Sequence, residues 1–564
     1  MEKEVEQFVD FKFKDKGNFY PITKESFLIE LPSEKKVRIN KYNLSSYARK
    51  FYIPFCSFAS IMEGINYKKV TKDSNICFFD VETENDESFK YALVKDKKTG
   101  EIKKFTKAKE LLEELKKYDF VCGHNTARFD YEVLYKECPE YFRINQLSSF
   151  IEYIPLYFLS LDTYQMARMN ASLGEEGYSL YSLAKLCGYK KERIDVKDKK
   201  RCSQDIEMLE LVYEKLNVEE GYNFLTEYSH CDNPTIMNSY SVRFVKQVLL
   251  NRYLVNGYVP TSAPQNNYKE PLKALHYAKE GIYYNQVYMD IKSTYPIATI
   301  NLGKSLYKEE KEPVFVTTMK ELVEYAKNPK IKGYAKFLAN VMIGSMRDLK
   351  NNFKNEELWS EILNFAHKEV LKIFDSIKER CVYSNTDCFI VNEEEIIKHE
   401  FYELKEKYKF EWIVIYDCNK ILGKTIDGRI IKRHFNKYFK CDLIRKADEI
   451  IEKLLLECPK DKIVDLLNNS IKLTEQAKSF LENPKFDKDL LKIVIRKKSS
   501  VCEGINAEYG FIWEKLDYGF NEVYSTNEGF SKKPKDLDIN KYYYEIDENA
   551  KQYKFNVNKY GEKD

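Results

Sequence analysis

Hydrophobic and polar positions alternate in short blocks along this chain, and the period changes from block to block. Over residues 1–70, stretches such as NFYPITKESFLIELP give a broken β pattern of short strands and turns. The apolar run Ile76-Cys77-Phe78-Phe79 predicts a buried strand that delivers Asp80-Val81-Glu82 at its C-terminal end. Residues 105–118 have amphipathic helical spacing, and Phe120-Val121-Cys122-Gly123 predicts a second short strand running into His124-Asn125. In 203–216 (SQDIEMLELVYEKL), Ile206, Leu209, Tyr213 and Leu216 share one helical face. Strand–helix alternation over 75–216 predicts an α/β domain. Asn233-Pro234 and the stretch 260–271, with Pro260, Pro264 and Pro271, read as connectors.

Further on, Val287-Tyr288-Met289-Asp290 is a β run, and 317–328 and 333–350 predict two helices joined at Asn328-Pro329. Residues 382–391 (VYSNTDCFIV) predict a hairpin with Asn385-Thr386 at or near its turn, and 419–435 two strands around Asp427-Gly428. Residues 443–457 and 459–482 read as helices, followed by the basic stretch Arg496-Lys497-Lys498. The polar tail 551–564 is expected to be disordered.

Composition narrows the class. A chain of 564 residues calls for about three to five domains, and 43% hydrophobic residues exclude wholesale disorder. A net charge of +3 leaves a polyanion partner open, because positive charge can gather in one groove. The 44 tyrosines suit base stacking but also follow from an AT-rich coding sequence. Thirteen scattered cysteines without a C-x-x-C, and six dispersed histidines, argue against a zinc module and for a reduced, intracellular chain. With no signal-like N-terminus and no apolar run of membrane-spanning length, the expectation is a cytoplasmic protein of a bacterium or an infected cell.

The candidate chemistry lies in the acids. A two-metal centre needs carboxylates converging from different segments. Asp80 and Glu82 alternate along a strand and so point to one face. That spacing alone carries no weight, since it recurs at Asp130/Glu132 and Asp205/Glu207. The order of three segments changes this: FFDVETE, then GHNTARFD, then Asp205 near the start of a helix. Together they resemble the three exonuclease motifs of family B DNA polymerases. The resemblance implies metal-binding acids at Asp80, Glu82, Asp130 and Asp205, with Asn125, Phe129 and Thr83 lining the site of the single-stranded primer end. Arg201 stands where the family has a tyrosine that helps place the attacking water. Arginine can bind phosphate but is no proton-bridging phenol, which leaves either slow exonuclease action or substitution by another nearby tyrosine such as Tyr189.

Asp290-Ile291-Lys292-Ser293-Thr294-Tyr295-Pro296 resembles the family's polymerase motif A, D-x-x-S-x-Y-P. This implies that Asp290 holds metal and that Ser293 and Tyr295 meet the nucleotide, the tyrosine excluding a 2′-hydroxyl. Lys336, Asn340 and Gly344 are spaced to share one helical face. They resemble motif B, with Val341 and Ile343 in place of its serine and tyrosine. Tyr383-Ser384-Asn385-Thr386-Asp387-Cys388 resembles motif C: its second acid is Asp387, while the first is Asn385, one charge fewer beside the ions. The hairpin over 419–435 resembles the primer-gripping element, with Lys424, Lys432 and Arg433 as its cations.

The implied architecture is α/β and α+β multidomain: an RNase H-like exonuclease plus a right-handed polymerase of palm, fingers and thumb. Its parts are an N-terminal β-rich region (1–70), exonuclease (71–230), linker and palm (231–305), fingers (306–350), palm (351–435), and thumb with tail (436–564). The implied cofactors are Mg²⁺ or Mn²⁺, two ions per site. The implied partners are primer-template DNA and dNTPs, with a terminal protein or processivity factor as a further one, and no membrane. Only 46 positions separate Asp290 from Lys336, and 43 separate Gly344 from Asp387. That leaves no room for the two insertions of protein-primed relatives, so unaided strand displacement is not expected. Two other readings stand: a palm-impaired 3′–5′ exonuclease, motivated by Val341, Ile343 and Asn385, and a non-catalytic DNA-binding scaffold.

Overall fold

The structure, a computed structural model, describes most of residues 68–256 and 270–468, the strand segments within 11–40 and 493–531, and residues 539–555. The chain divides into two compact units, Met1–Pro271 with Tyr295–Phe365, and Leu272–Thr294 with Ala366–Asp564.

In the first unit, β1 (Phe11–Lys12), β2 (Asn18–Thr23), β3 (Ser26–Glu30) and β4 (Lys36–Asn40) form an antiparallel meander, in line with the β pattern read there. The main sheet holds β5 (Ile76–Thr83), β6 (Phe89–Asp96), β7 (Ile102–Phe105) and β8 (Phe120–Gly123). After a separate hairpin of β9 (Phe142–Gln146) and β10 (Ile151–Pro155), it gains β11 (Leu159–Asp162). The order is β11-β8-β5-β6-β7, with β5, β8 and β11 parallel and the β5-β6-β7 meander antiparallel. Among the described residues the helices are α1 (Ala108–Leu115), α2 (Asp130–Glu137), α3 (Thr163–Arg168), α4 (Leu180–Leu186), α5 (Arg201–Lys215), α6 (Val218–Ser229), α7 (Asn233–Asn238), α8 (Ser241–Val255), α9 (Thr294–Leu302), α10 (Val314–Tyr325) and α11 (Lys332–Ser345).

The two-residue period of β5 sorts its side chains. Cys77, Phe79 and Val81 enter the core with Leu111, Leu115 and Leu134. Phe78 meets the Tyr213 ring of α5 edge-on at 5.1 Å, so Asp80 and Glu82 emerge on the α5 side. The connector expected at Asn233-Pro234 is instead the start of α7. Proline is tolerated there because the first helical N–H groups lack intrahelical partners. Asn233 also accepts from Ser160 N–H (3.1 Å) and donates to Ser160 O (2.7 Å), tying α7 to β11. Pro260 and Pro264 lie outside the described residues.

In the second unit, seven strands form one antiparallel sheet: β12 (His276–Ala278), β13 (Gly281–Ile291), β14 (Cys381–Asn385), β15 (Cys388–Asn392), β16 (Leu404–Ile415), β17 (Ile421–Thr425) and β18 (Ile430–Arg433), in the order β12-β14-β15-β13-β16-β17-β18. The run Phe410–Ile415 in β16 is apolar at almost every position because both faces are covered. Trp412 and Val414 pack with Ile451, Leu455 and Tyr553, while Phe410, Ile413 and Ile415 pack with Tyr288, Tyr383 and Ile390. Phe374 of α12 (Glu356–Ile377) meets Tyr277 at 4.8 Å. The other helices among the described residues are α13 (Asp442–Glu457), α14 (Ile463–Asn468) and α15 (Ile539–Lys551). The helix expected over 459–482 is broken at its start. Pro459 leads into a single 3₁₀ turn before α14, and most of 469–482 lies outside the described residues. The basic stretch Arg496-Lys497-Lys498 ends β19 (Ile493–Lys498), in a four-stranded sheet with β20 (Val501–Glu503), β21 (Gly519–Thr526) and β22 (Gly529–Ser531). Within the stretch expected to be disordered, Tyr553 and Phe555 are buried against the sheet, and 556–564 lie outside the described residues.

In the first unit, α11 reaches α6 through Tyr334. A Cβ built on Gly221 would fall 2.2 Å from the ring of Tyr334, whose hydroxyl donates to Leu216 O at 2.9 Å. Replacing a helical glycine by alanine ordinarily stabilises by roughly 1 kcal/mol. Here Gly221→Ala is expected to destabilise by about 1–3 kcal/mol through overpacking, read as a lower denaturant midpoint. A raised midpoint would show that the ring is free to move aside.

Candidate functional site

The first acid cluster forms where β5 ends. Asp80 and Glu82 lie on its α5 side, Asp130 is the first residue of α2, and Asp205 stands one turn into α5. Asp130 is buried, and its carboxylate accepts from its own N–H and that of Val81. Burial pushes its carboxyl up to about 8, with added repulsion from Asp162. Asp80 is held well above the carboxylate range by lost hydration, then by Asp130 and Asp205. Glu82 is raised by burial and by Asp205, against the pull of Arg201 and Lys90. The structure thus brings together all of the acids singled out in the exonuclease-like segments.

Arg201 does not stand free to meet a phosphate. Its Nε donates to Asp205 Oδ2 at 3.0 Å and its Nη1 to Ile194 O at 3.0 Å. The second oxygen of Asp205, Oδ1, is buried without a hydrogen-bond partner. An orphaned carboxylate oxygen among mutually repelling acids is the donor set a hard divalent cation requires, so the residues fit a metal. Cys202 Sγ lies with the Asp80 and Glu82 oxygens within 4.8 Å of one another. The Tyr189 hydroxyl points to Glu207 (3.4 Å), outside the cluster. Tyr91 stands directly across from Glu82 on β6, and burial, then the charges of Cys202, Glu82 and Asp80, push its phenol up to about 12.

Sequence reading missed the residue that supports this cluster. Asp162, buried at the end of β11, accepts from Asn125 N–H (2.8 Å), Thr126 Oγ1 (3.2 Å) and Tyr164 N–H (2.9 Å). It caps α3 and fixes Asn125 in the left-handed region (φ 61°), which asparagine tolerates. Its place as an acid just before a helix was the available signal. Phe129 is 44% exposed, and Thr83 ends β5.

The second acid pair belongs to the other unit. Asp290 of β13 sits opposite Cys388 of β15, so Asp387, in the hairpin turn, lies beside it, and Ile291 N–H donates to Asp387 O at 2.9 Å. Burial raises the Asp387 carboxyl, Asp290 adds repulsion, and a hydrogen bond from Thr294 Oγ1 (3.1 Å) opposes both. Two non-glycine residues flank the pair with positive φ, Ser293 (52°) and Thr386 (61°). A β-branched residue there is strained, and such strain persists only where the surroundings hold it. Asn385 is turned to its own work: Nδ2 donates to Cys418 O at 3.0 Å, where a carboxylate would face a carbonyl. Lys407 is the extra residue of a β-bulge in β16 and lies 3.8 Å from Asp290 Oδ2. The mutual repulsion of the acids again fits a divalent cation.

The other sequence candidates fall as follows. Lys336, Asn340 and Gly344 share the less buried stripe of α11, as their spacing predicts, while Ile343 is buried in the core. Tyr295 is the second residue of α9, followed by Pro296. Lys424 pairs with Glu411 at 2.9 Å. Lys432 donates to Asp448 (2.5 Å) and Tyr553 (2.9 Å) and pairs with Glu452, which joins β18 to α13 and the C-terminal segment. Arg433 lies over the Tyr288 ring at 4.8 Å.

The raised Asp130 carboxyl has a thermodynamic consequence. Its proton is held in the folded state from the ordinary carboxylate range up to about 8. Its contribution to metal-free stability is therefore present at low pH and lost as pH rises toward 8. In chelator, the wild-type melting temperature should fall over that window relative to Asp130→Asn, and Mg²⁺ should stabilise the wild type more at high pH than at low. Parallel pH profiles for the two chains would refute this.

No family model matches the sequence, and no curated protein matches it. Among solved structures, the chain is similar to the family B DNA polymerase from the hyperthermophilic archaeon Pyrobaculum calidifontis. The two share 15% identity at a TM-score of 0.61, over 86% of this chain and 78% of that one. Among the described residues no helix is long and apolar enough to cross a membrane. The chain therefore has the fold of a family B DNA polymerase.

Proposed function

We propose that this chain is a DNA-directed DNA polymerase with 3′–5′ exonucleolytic proofreading. The observation that carries the reading is the placement of Asp290, at the end of β13, beside Asp387, in the β14–β15 turn, with Ser293 and Thr386 at positive φ next to them, and a separate cluster of Asp80, Glu82, Asp130 and Asp205 in the other unit. Two centres of mutually repelling carboxylates suit two phosphoryl-transfer reactions run in opposite directions on one primer end. On this reading the five-stranded sheet, with its antiparallel meander and two parallel additions, is an RNase H-like exonuclease. The seven-stranded sheet is the palm, α10 and α11 are fingers, and the region after 436 is the thumb.

Bound Mg²⁺ or Mn²⁺ would supply the positive charge that activates a hydroxyl or water and steadies the phosphate in flight. Asp290 and Asp387 would hold the ions of the synthetic centre. Lys336, as a point charge, would bind the dNTP triphosphate, Asn340 and Gly344 would shape the base-pair pocket, and Ser293 and Tyr295 would contact the nucleotide. Lys424, Lys432 and Arg433 belong to a hairpin that would follow the primer, with Lys432 fastening that hairpin to α13. At the exonuclease centre, Asn125, Phe129 and Thr83 would hold the frayed end. Of the 42 residues between Gly344 and Asp387, α12 takes up 22, which argues against a terminal-protein insertion there.

A second reading, an exonuclease with a silent palm, draws on Asn385, whose amide is committed to Cys418. Extension of a labelled primer-template with Mg²⁺ and all four dNTPs separates the two. Asp387→Ala is expected to abolish growth by at least about 1,000-fold while leaving primer shortening intact, and Asp130→Ala to do the reverse. Shortening by the wild type without growth under any dNTP supply would establish the second reading instead.

A further inference from the structure

Motif A is closed onto Asp387 by hydrogen bonds that its pattern does not foretell. Thr294, 4% exposed, donates through Oγ1 to Asp387 Oδ2 at 3.1 Å. The Thr294 carbonyl accepts from the hydroxyl of Tyr402 at 3.1 Å, and Tyr402 is itself buried. The adjoining Glu403 carbonyl accepts from Lys292 N–H at 2.9 Å, and its carboxylate pairs with the Lys292 ammonium. Ile291 N–H donates to the Asp387 carbonyl at 2.9 Å. Asp387 is thus gripped at its main chain and at one carboxylate oxygen, and the segment that grips it is held by Tyr402-Glu403.

We infer that Thr294 is a positioning residue for the synthetic centre, and that Tyr402 holds it in place. The inference rests on the polymerase reading above. The hydroxyl of Thr294 occupies Oδ2 of Asp387 and so fixes the rotamer that presents the other oxygen to a cation. Ser293, at φ 52° between Lys292 and Thr294, lies in a region that costs a non-glycine residue about 1 kcal/mol or more. The bonds from Tyr402 and Glu403 hold the turn in that form, which keeps Thr294 within reach of Asp387. With Asn385 facing Cys418, the centre has one carboxylate fewer to spare, so the orientation of Asp387 matters more. Outer partners of metal-binding carboxylates ordinarily contribute about 10–100-fold to affinity or activity.

The test measures primer extension and the melting temperature of the full chain, each as a function of Mg²⁺, with the metal-free melting temperature as the folding control. Thr294→Val keeps shape and removes the donor. It is expected to raise the half-saturating Mg²⁺ roughly 10-fold and to lower kcat by a similar factor. Thr294→Ser should recover most of both, and Tyr402→Phe should move them in the same direction by less. An unchanged Mg²⁺ requirement in Thr294→Val would overturn the inference, even if that chain melted earlier, because a merely structural hydroxyl does not alter metal affinity. Should that chain fail to fold, Tyr402→Phe carries the same comparison, and an unchanged Mg²⁺ requirement there overturns it too. A wild type that extends no primer, as in Asp387→Ala, would instead remove the polymerase reading itself.

Discussion

Carboxylates that repel one another, held together by a scaffold that leaves them few countercharges, are the constraint around which this protein is arranged. In the first unit the strand end of β5, the first residue of α2 and one turn of α5 converge. The cost appears as raised carboxyls at Asp80, Glu82 and Asp130. In the second, antiparallel pairing of β13 with β15 sets Asp290 beside Asp387. A fold that needed only stability would place apolar groups at such positions, because burying unpaired charge is costly. The strain is tolerable because a bound cation would relieve it.

The scaffold meets this repulsion differently in the two units. Arg201 takes one oxygen of Asp205 and leaves the other orphaned. Asp162, itself an acid, is satisfied by main-chain and hydroxyl donors and holds the Asn125 loop. In the seven-stranded sheet a neutral donor, Thr294, and a bulged lysine, Lys407, stand near the pair. Both sites therefore combine fixed direction with incomplete charge compensation, which suits metal exchange better than a closed salt-bridge network would.

Much of this was legible in the sequence. The two-residue period of Phe78, Asp80 and Glu82, the β run into Asp290, the hairpin whose turn carries Asp387 and the i, i+4 spacing of Lys336, Asn340 and Gly344 are local properties. Backbone geometry alone converts them into shared faces and strand ends. Asn233-Pro234 misled because a proline in the first turn of a helix looks, in sequence, like one that ends a helix.

What the sequence determined by itself was which residues share a face and which acids end a strand, because those follow from dihedral periods spanning a few residues. Only the tertiary structure decided that Arg201 turns to Asp205, that Asn385 turns to Cys418, that Tyr402 reaches Thr294 across 108 positions, and that Tyr553 and Phe555 close the core instead of trailing as a tail. Each of these depends on which distant donor, acceptor or apolar surface packing brings within a few ångströms, and a hydrogen bond or buried contact has no period along the chain to betray it.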